Sequence, residues 1–175
     1  MSDAAPSWRQ SGLAWWPLGA VTLLLDQVTK AVIESSMTLY QSIYVLPVLD
    51  IVSARNTGAA FSFLANAGGW QRWAFTGFAL VVTAFIAHTL RRSQLAGQHL
   101  QNAGLILIAS GALGNAIDRL RHGYVVDFVA VHWEGAYFPA FNVADSCITV
   151  GAGFILLDAL RQWRRERQVA KGKVQ

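Results

Sequence analysis

The sequence predicts a mainly α-helical membrane protein. Four transmembrane helices carry a small extracytoplasmic β-sheet and a lid loop over a polar site. Three observations predict this. Hydrophobic residues make up 54% of the 175 residues and charged residues only 14%, against roughly 25% charged in a soluble domain; mean hydropathy is +0.36. The apolar residues gather into four runs, each close to the ~20 residues that a bilayer core requires. The basic residues collect at one end of those runs. Residues 1–175 therefore form one integral membrane domain. A net charge of +4 does not point to nucleic acid, because the densest basic cluster trails the last apolar run and has no aromatic-interleaved patch. The single cysteine, Cys147, excludes an intrachain disulfide.

The elements follow in order. Residues 1–12 are short and polar and read as a disordered cytoplasmic tail. Leu13 to Ile33 is the first span, with Trp15, Trp16 and Pro17 at its entry, where interfacial aromatics belong. The apolar run continues past Asp26 with no prompt small-residue cleavage site, which favours an uncleaved helix. Asp26 and Lys30 are four apart and share a helix face; they read either as an ion pair with Lys30 snorkelling or as a brace for a polar site. Residues 38–69 lie outside the membrane. Ile43 to Val52 is β-branched, too short to span and interrupted at Pro47, so it predicts one or two strands. Asn56-Thr57-Gly58 is a turn signal. The second span, Trp70 to Leu90, ends at Arg91-Arg92. The third runs from Leu100 to Ile117, with Gly104, Ser110, Gly111 and Gly114 for close helix packing. Residues 119–141 form the second outer loop. The fourth span is Asn142 to Leu160, and residues 161–175 are a basic, frayed tail.

Four spans put both termini on one side. The tails and the Arg91-Arg92 turn hold nine of the fourteen Lys and Arg residues, so the positive-inside bias makes the termini cytoplasmic. Depth then becomes informative. Asp26 lies in the outer half of its helix and Asn115 near the outer end of another. Asn115, Asp118 and Arg119 share one face, as do Asn142 and Asp145. Asp127 stands in the outer loop. A carboxylate at the mouth of an apolar segment is costly unless something uses it. Asp127 and Asp145, brought to the same interface, are the natural pair. Two close carboxylates share a proton, so one can take a proton from water while the other polarises a carbonyl. That is aspartic peptidase chemistry, with no metal or other cofactor. Zinc bound by His122 and His132 fits less well, because their spacing matches no His-Glu-x-x-His pattern. Ser146 and Cys147 lack a histidine at their depth. A small transporter or channel subunit with a polar path is the alternative reading.

Five motifs in order add a resemblance. Asp26-Gln27-Val28-Thr29-Lys30, Asn56-Thr57-Gly58-Ala59-Ala60-Phe61, Gly111 to Arg119, Val125-Val126-Asp127-Phe128 and Phe141-Asn142-Val143-Ala144-Asp145-Ser146 resemble those of the bacterial lipoprotein signal peptidases (signal peptidase II). The resemblance covers about residues 13–160. It implies an aspartic endopeptidase of the inner membrane that removes the signal peptide from diacylglyceryl-modified prolipoproteins just before the lipidated cysteine. It implies Asp127 and Asp145 as the catalytic dyad. Asn56, Asn115, Arg119 and Asn142 would line the site, with Asp26 and Asp118 as supporting residues. It further implies a short periplasmic helix, a substrate held among membrane lipid, and inhibition by globomycin. An extended substrate clamped by the sheet and a Val129 to Pro139 lid, with Trp133, Tyr137 and Phe138 closing over it, suits such a reaction.

Overall fold

A computed structural model describes residues 7–58, 68–93 and 97–172. A 3-10 turn, Gly12–Trp15, leads into α1 (Trp16–Ser36). Ser11 starts that turn by accepting the Leu13 N–H, and Pro17 occupies the first turn of α1, where a missing N–H costs nothing. The strands β1 (Ser42–Leu46) and β2 (Leu49–Asn56) follow. Then come α2 (Trp70–Arg92), α3 (His99–His122), β3 (Val125–Trp133), β4 (Ala136–Tyr137) and α4 (Val143–Gly172).

The helix α3 is the axis of the bundle. In its apolar window 56% of residues are buried, against 17% in those of α2 and α4. An apolar helix that exposes so much of itself is built for lipid. These three helices are long and apolar enough to cross a membrane. The 21 residues of α1 would also suffice, but Asp26, Gln27 and Lys30 dilute its apolar run. The small residues expected to seat helices do so. Gly104 of α3 faces Gly151 of α4, and a Cβ on Gly104 would lie 2.7 Å from the Gly151 carbonyl oxygen.

The four strands form one antiparallel sheet in the order β1-β2-β3-β4. The β1–β2 hairpin turns at Pro47, which has no N–H to lose. Several expectations need correction here. Residues 119–141 are not a loop: α3 continues to His122, and β3 then pairs along β2 from Asn56↔Val125 to Leu49↔Val131. An isolated β1–β2 hairpin leaves the inner edge of β2 unpaired, and the β-branched run from Val125 fills it. The expected Val129 to Pro139 lid is accordingly the end of β3, a tight turn and β4. Glu134 (φ 47°) and Gly135 (φ 84°) make that turn with two positive φ values, the geometry that suits a two-residue hairpin. Residues 7–12 form a turn that ends packed, not a disordered tail: Ser11 is fully buried and the Gly12 N–H donates to the Ser93 carbonyl. The basic stretch after Leu160 continues as helix to Gly172. No short helix besides Gly12–Trp15 occurs among the described residues. Ala59, Ala60 and Phe61 of the second motif lie outside them.

Candidate active site

Five elements meet at one end of the bundle. The helix α4 starts at Asn142 and Asp145, which cap it reciprocally. The Asp145 N–H donates to Asn142 Oδ1 at 2.9 Å, and the Asn142 N–H donates to Asp145 Oδ2 at 3.3 Å. This is the capping-box arrangement with an aspartate in the glutamate position. The other side of the Asn142 amide faces β3: its Nδ2 donates to Asp127 Oδ1 at 2.7 Å and to the Val126 carbonyl at 3.2 Å. One fully buried asparagine thus holds both aspartates.

From α3, Asn115 Nδ2 donates to Asp145 Oδ1 at 2.8 Å. Its Oδ1 accepts from Asn142 Nδ2 at 3.3 Å and from Lys30 Nζ at 2.9 Å. Lys30 also pairs with Asp26 and with Asp118, each at 2.9 Å. Asp26 Oδ1 accepts the Ala144 N–H of α4 at 2.8 Å, and Asp118 Oδ2 accepts the Val126 N–H of β3 at 3.2 Å. Gln27 Nε2 donates to Asp118 Oδ1 at 3.0 Å. Lys30, Asp26 and Asp118 thus partner one another, as their burial demands. Gly114 makes room for this layer, since a Cβ there would lie 2.5 Å from Asp26 Oδ2.

In front of the network is a cavity of about 800 Å³. Asp127, Asp145, Asn115, Arg119, Asn56 and Phe138 line it. It continues along α4 past Ile148 and Thr149. Arg119 is buried in its wall, with Nη2 donating to the Gly58 carbonyl at 2.8 Å and its guanidinium over the Phe75 ring. The Asn56 side chain accepts the Gly58 N–H at 2.9 Å, so the Asn-Thr-Gly stretch is a turn. Burial pushes the Asp127 carboxyl up from 3.8 to about 7. The neighbouring Asp145 charge adds to that shift, and hydrogen bonds from Asn56 and Asn142 and the charge of Lys30 oppose it.

Of the residues singled out in the sequence, Asp127, Asp145, Asn115, Arg119 and Asn56 reach the cavity wall. Asn142 ties the aspartates together, while Asp26 and Asp118 stand behind the wall. The two histidines are apart from the site and from each other. His122 Nε2 is 3.7 Å from Glu34, and His132 faces Asp50 at 3.5 Å. Among the described residues no three His, Cys, Asp or Glu side chains group as a metal would require. Lys30 and Gln27 are the functional-site residues that the sequence undervalued. The spacing of Asp26 and Lys30 revealed one ion pair, but Asp118, the second partner of Lys30, comes from another helix.

Residues 18–161 match the family described as signal peptidase (SPase) II. The chain belongs to the signal peptidase II family. It is 48% identical over 153 residues to the lipoprotein signal peptidase of Shewanella pealeana, covering 87% of this chain and 89% of that protein. It is 44% identical over 158 residues to that of Actinobacillus succinogenes, covering 90% and 96%. A bacterial membrane enzyme solved by the in meso method at 2.3 Å superposes with a TM-score of 0.75 at 31% identity, over 85% of this chain and 88% of that one. Family membership and the apolar helices together make this signal peptidase II homologue an integral membrane peptidase.

Proposed function

We propose that this protein removes signal peptides from diacylglyceryl-modified prolipoproteins, with Asp127 and Asp145 as the catalytic pair. The observation that carries the reading is Asn142, which hydrogen-bonds both carboxylates at the wall of one cavity. One carboxylate is ionised and takes a proton from water, and the resulting hydroxide attacks the scissile carbonyl carbon. The other is protonated and gives its proton to the carbonyl oxygen, forming a tetrahedral diol. The first then protonates the departing amine while the second recovers its proton as the C–N bond breaks. An Asp127 carboxyl titrating near 7 supports this division of labour at neutral pH.

On this reading α1 is a fourth membrane helix, the basic residues favour cytoplasmic termini, and the cavity belongs at the outer face of the inner membrane. A signal peptide is a membrane helix whose cleavage point lies there. The diacylglyceryl group holds it at that depth, at about 0.8 kcal/mol per buried methylene. The apolar extension of the cavity along Ile148 and Val150 suits those chains. Arg119 and Asn56, in the cavity wall, are suited to hold an extended backbone, and globomycin is expected to compete for the same cavity. A transport path predicts polar side chains through the midplane; the buried charges here gather at one end.

The test is cleavage of a lipidated precursor by the full chain in lipid. The unlipidated precursor should be cut far more slowly, and Asp127→Asn or Asp145→Asn should stop cleavage while the variants still fold. Turnover at the native rate by either variant would sink the assignment.

A further inference from the structure

We propose that Lys30 is a positioning residue: it fixes the Asn115 amide so that its N–H faces Asp145, making Asp145 the ionised, water-activating carboxylate and Asp127 the protonated one. This rests on the peptidase reading above and goes further, because it divides the roles between the two aspartates.

The argument begins with what a lysine can do. An ammonium has three donors and no acceptor. Lys30 Nζ places them on Asp26 Oδ2, Asp118 Oδ2 and Asn115 Oδ1, all at 2.9 Å. Only the oxygen end of the Asn115 amide can face it. The NH₂ end is therefore turned toward Asp145, which receives it at 2.8 Å. With the amide reversed, an oxygen lone pair would oppose the carboxylate.

Asp145 is furnished as an anion site in two further ways. Its second oxygen takes the Asn142 backbone N–H at 3.3 Å, and it stands in the first turn of α4, where the helix dipole favours negative charge. Asp127 also accepts hydrogen bonds, from Asn142 Nδ2 at 2.7 Å and from Asn56, but it has no helix terminus behind it. It lies on a strand and is 3% exposed. The charged groups acting on it are Asp145 from α4, Lys30 from α1 and Arg119 from α3; Arg55, from β2, lines the same cavity. Each carboxylate accepts two hydrogen bonds, so the helix terminus and the depth of burial decide: Asp127, deeper and away from any helix terminus, keeps the proton.

The first measurement is independent of turnover. Infrared spectra of the folded protein at pH 5.5 should show a protonated-carboxyl band that is lost in Asp127→Asn and retained in Asp145→Asn. The reverse pattern overturns the assignment, whether or not the protein cleaves lipoproteins. The second compares Lys30→Met with wild type on the lipidated precursor. The expected result is a kcat lower by about 10²-fold with KM nearly unchanged. The pH–rate profile should also move to higher pH, since a cation that favours ionisation of the pair is gone. A role in folding alone would lower the active fraction without moving the profile. Because Lys30→Met leaves Asp26 and Asp118 unbalanced, Lys30→Met/Asp118→Asn restores the local charge. Native kcat and pH profile in that double variant would show that Lys30 only balances charge. If neither Lys30 variant folds, the infrared comparison of the two aspartates decides. Failure of the wild-type chain to cut the precursor would overturn the peptidase reading and leave the band assignment standing on its own.

Discussion

Each end of the bundle buries an asparagine completely, and the two ends differ in everything else. At one end Asn142 bridges two carboxylates beside a charged layer and a cavity. At the other end Asn102 accepts from Ser93 Oγ at 2.9 Å, close to the point where the Gly12 N–H meets the Ser93 carbonyl. That second cluster is uncharged: it fastens the entry to α1 onto the end of α2 and the first turn of α3. A satisfied buried amide is thus a fastening by default. It becomes part of a site when it holds titratable groups against a space that a ligand can enter. Ionisable groups carry that distinction, because only they are costly enough in an apolar layer to require another use.

The comparison can be broken most directly at the dyad. Asp127→Asn and Asp145→Asn should each lower cleavage by about 10³-fold or more, measured on a lipidated precursor, with no loss of folded protein. Asp26→Ala should come next. It leaves Lys30 short of an anion and strips the Ala144 N–H of its acceptor, a loss of about 3–5 kcal/mol visible as a lower Tm in detergent. Asn102→Ala, at the fastening end, should cost about 1–3 kcal/mol yet leave kcat per folded molecule unchanged. A drop in kcat there would erase the contrast between the two ends.

A separate effect is set by pH. The Asp127 carboxyl is raised from 3.8 to about 7 in the folded protein. Its contribution to stability is therefore complete below about pH 4 and is lost as pH rises through 7. Asp127→Asn removes that loss, so the variant should gain in Tm over wild type between pH 4 and 7 and hold the gain above it. A Tm difference independent of pH would show that Asp127 ionises as freely folded as unfolded. The smallest effect belongs to the exposed hairpin tip, where Trp133 is 67% exposed. Trp133→Ala should leave stability within about 0.5 kcal/mol and, if the hairpin clamps substrate, raise KM alone.

Local patterns carried much of this structure. Apolar runs bounded by aromatic and basic residues locate α2, α3 and α4, and a Pro-broken β-branched run locates β1 and β2. Helical spacing groups Asn115 with Asp118 and Asn142 with Asp145. Non-local partnerships did not show. The run from Val125 looked like loop because its reason for being a strand is the open edge of β2, about 70 residues earlier in the chain. Lys30 looked like half of an i,i+4 pair because its other partners, Asp118 and Asn115, come from α3. The packed turn at residues 7–12 likewise depends on Ser93, which nothing nearby in sequence announces.

The length of α4 has a consequence for where chemistry can happen. Its 30 residues extend about 45 Å at ~1.5 Å per residue, while a bilayer core is ~30 Å thick. The excess is the basic stretch from Arg161 onward, which belongs among the headgroups. From Arg161 back to Asp145 is 16 residues, or about 24 Å. The helix therefore works as a depth gauge, anchored in one leaflet and reading out at the other. On the proposed topology, a thicker bilayer would draw Asp145 inward from its interface, and a thinner one would lift it toward water.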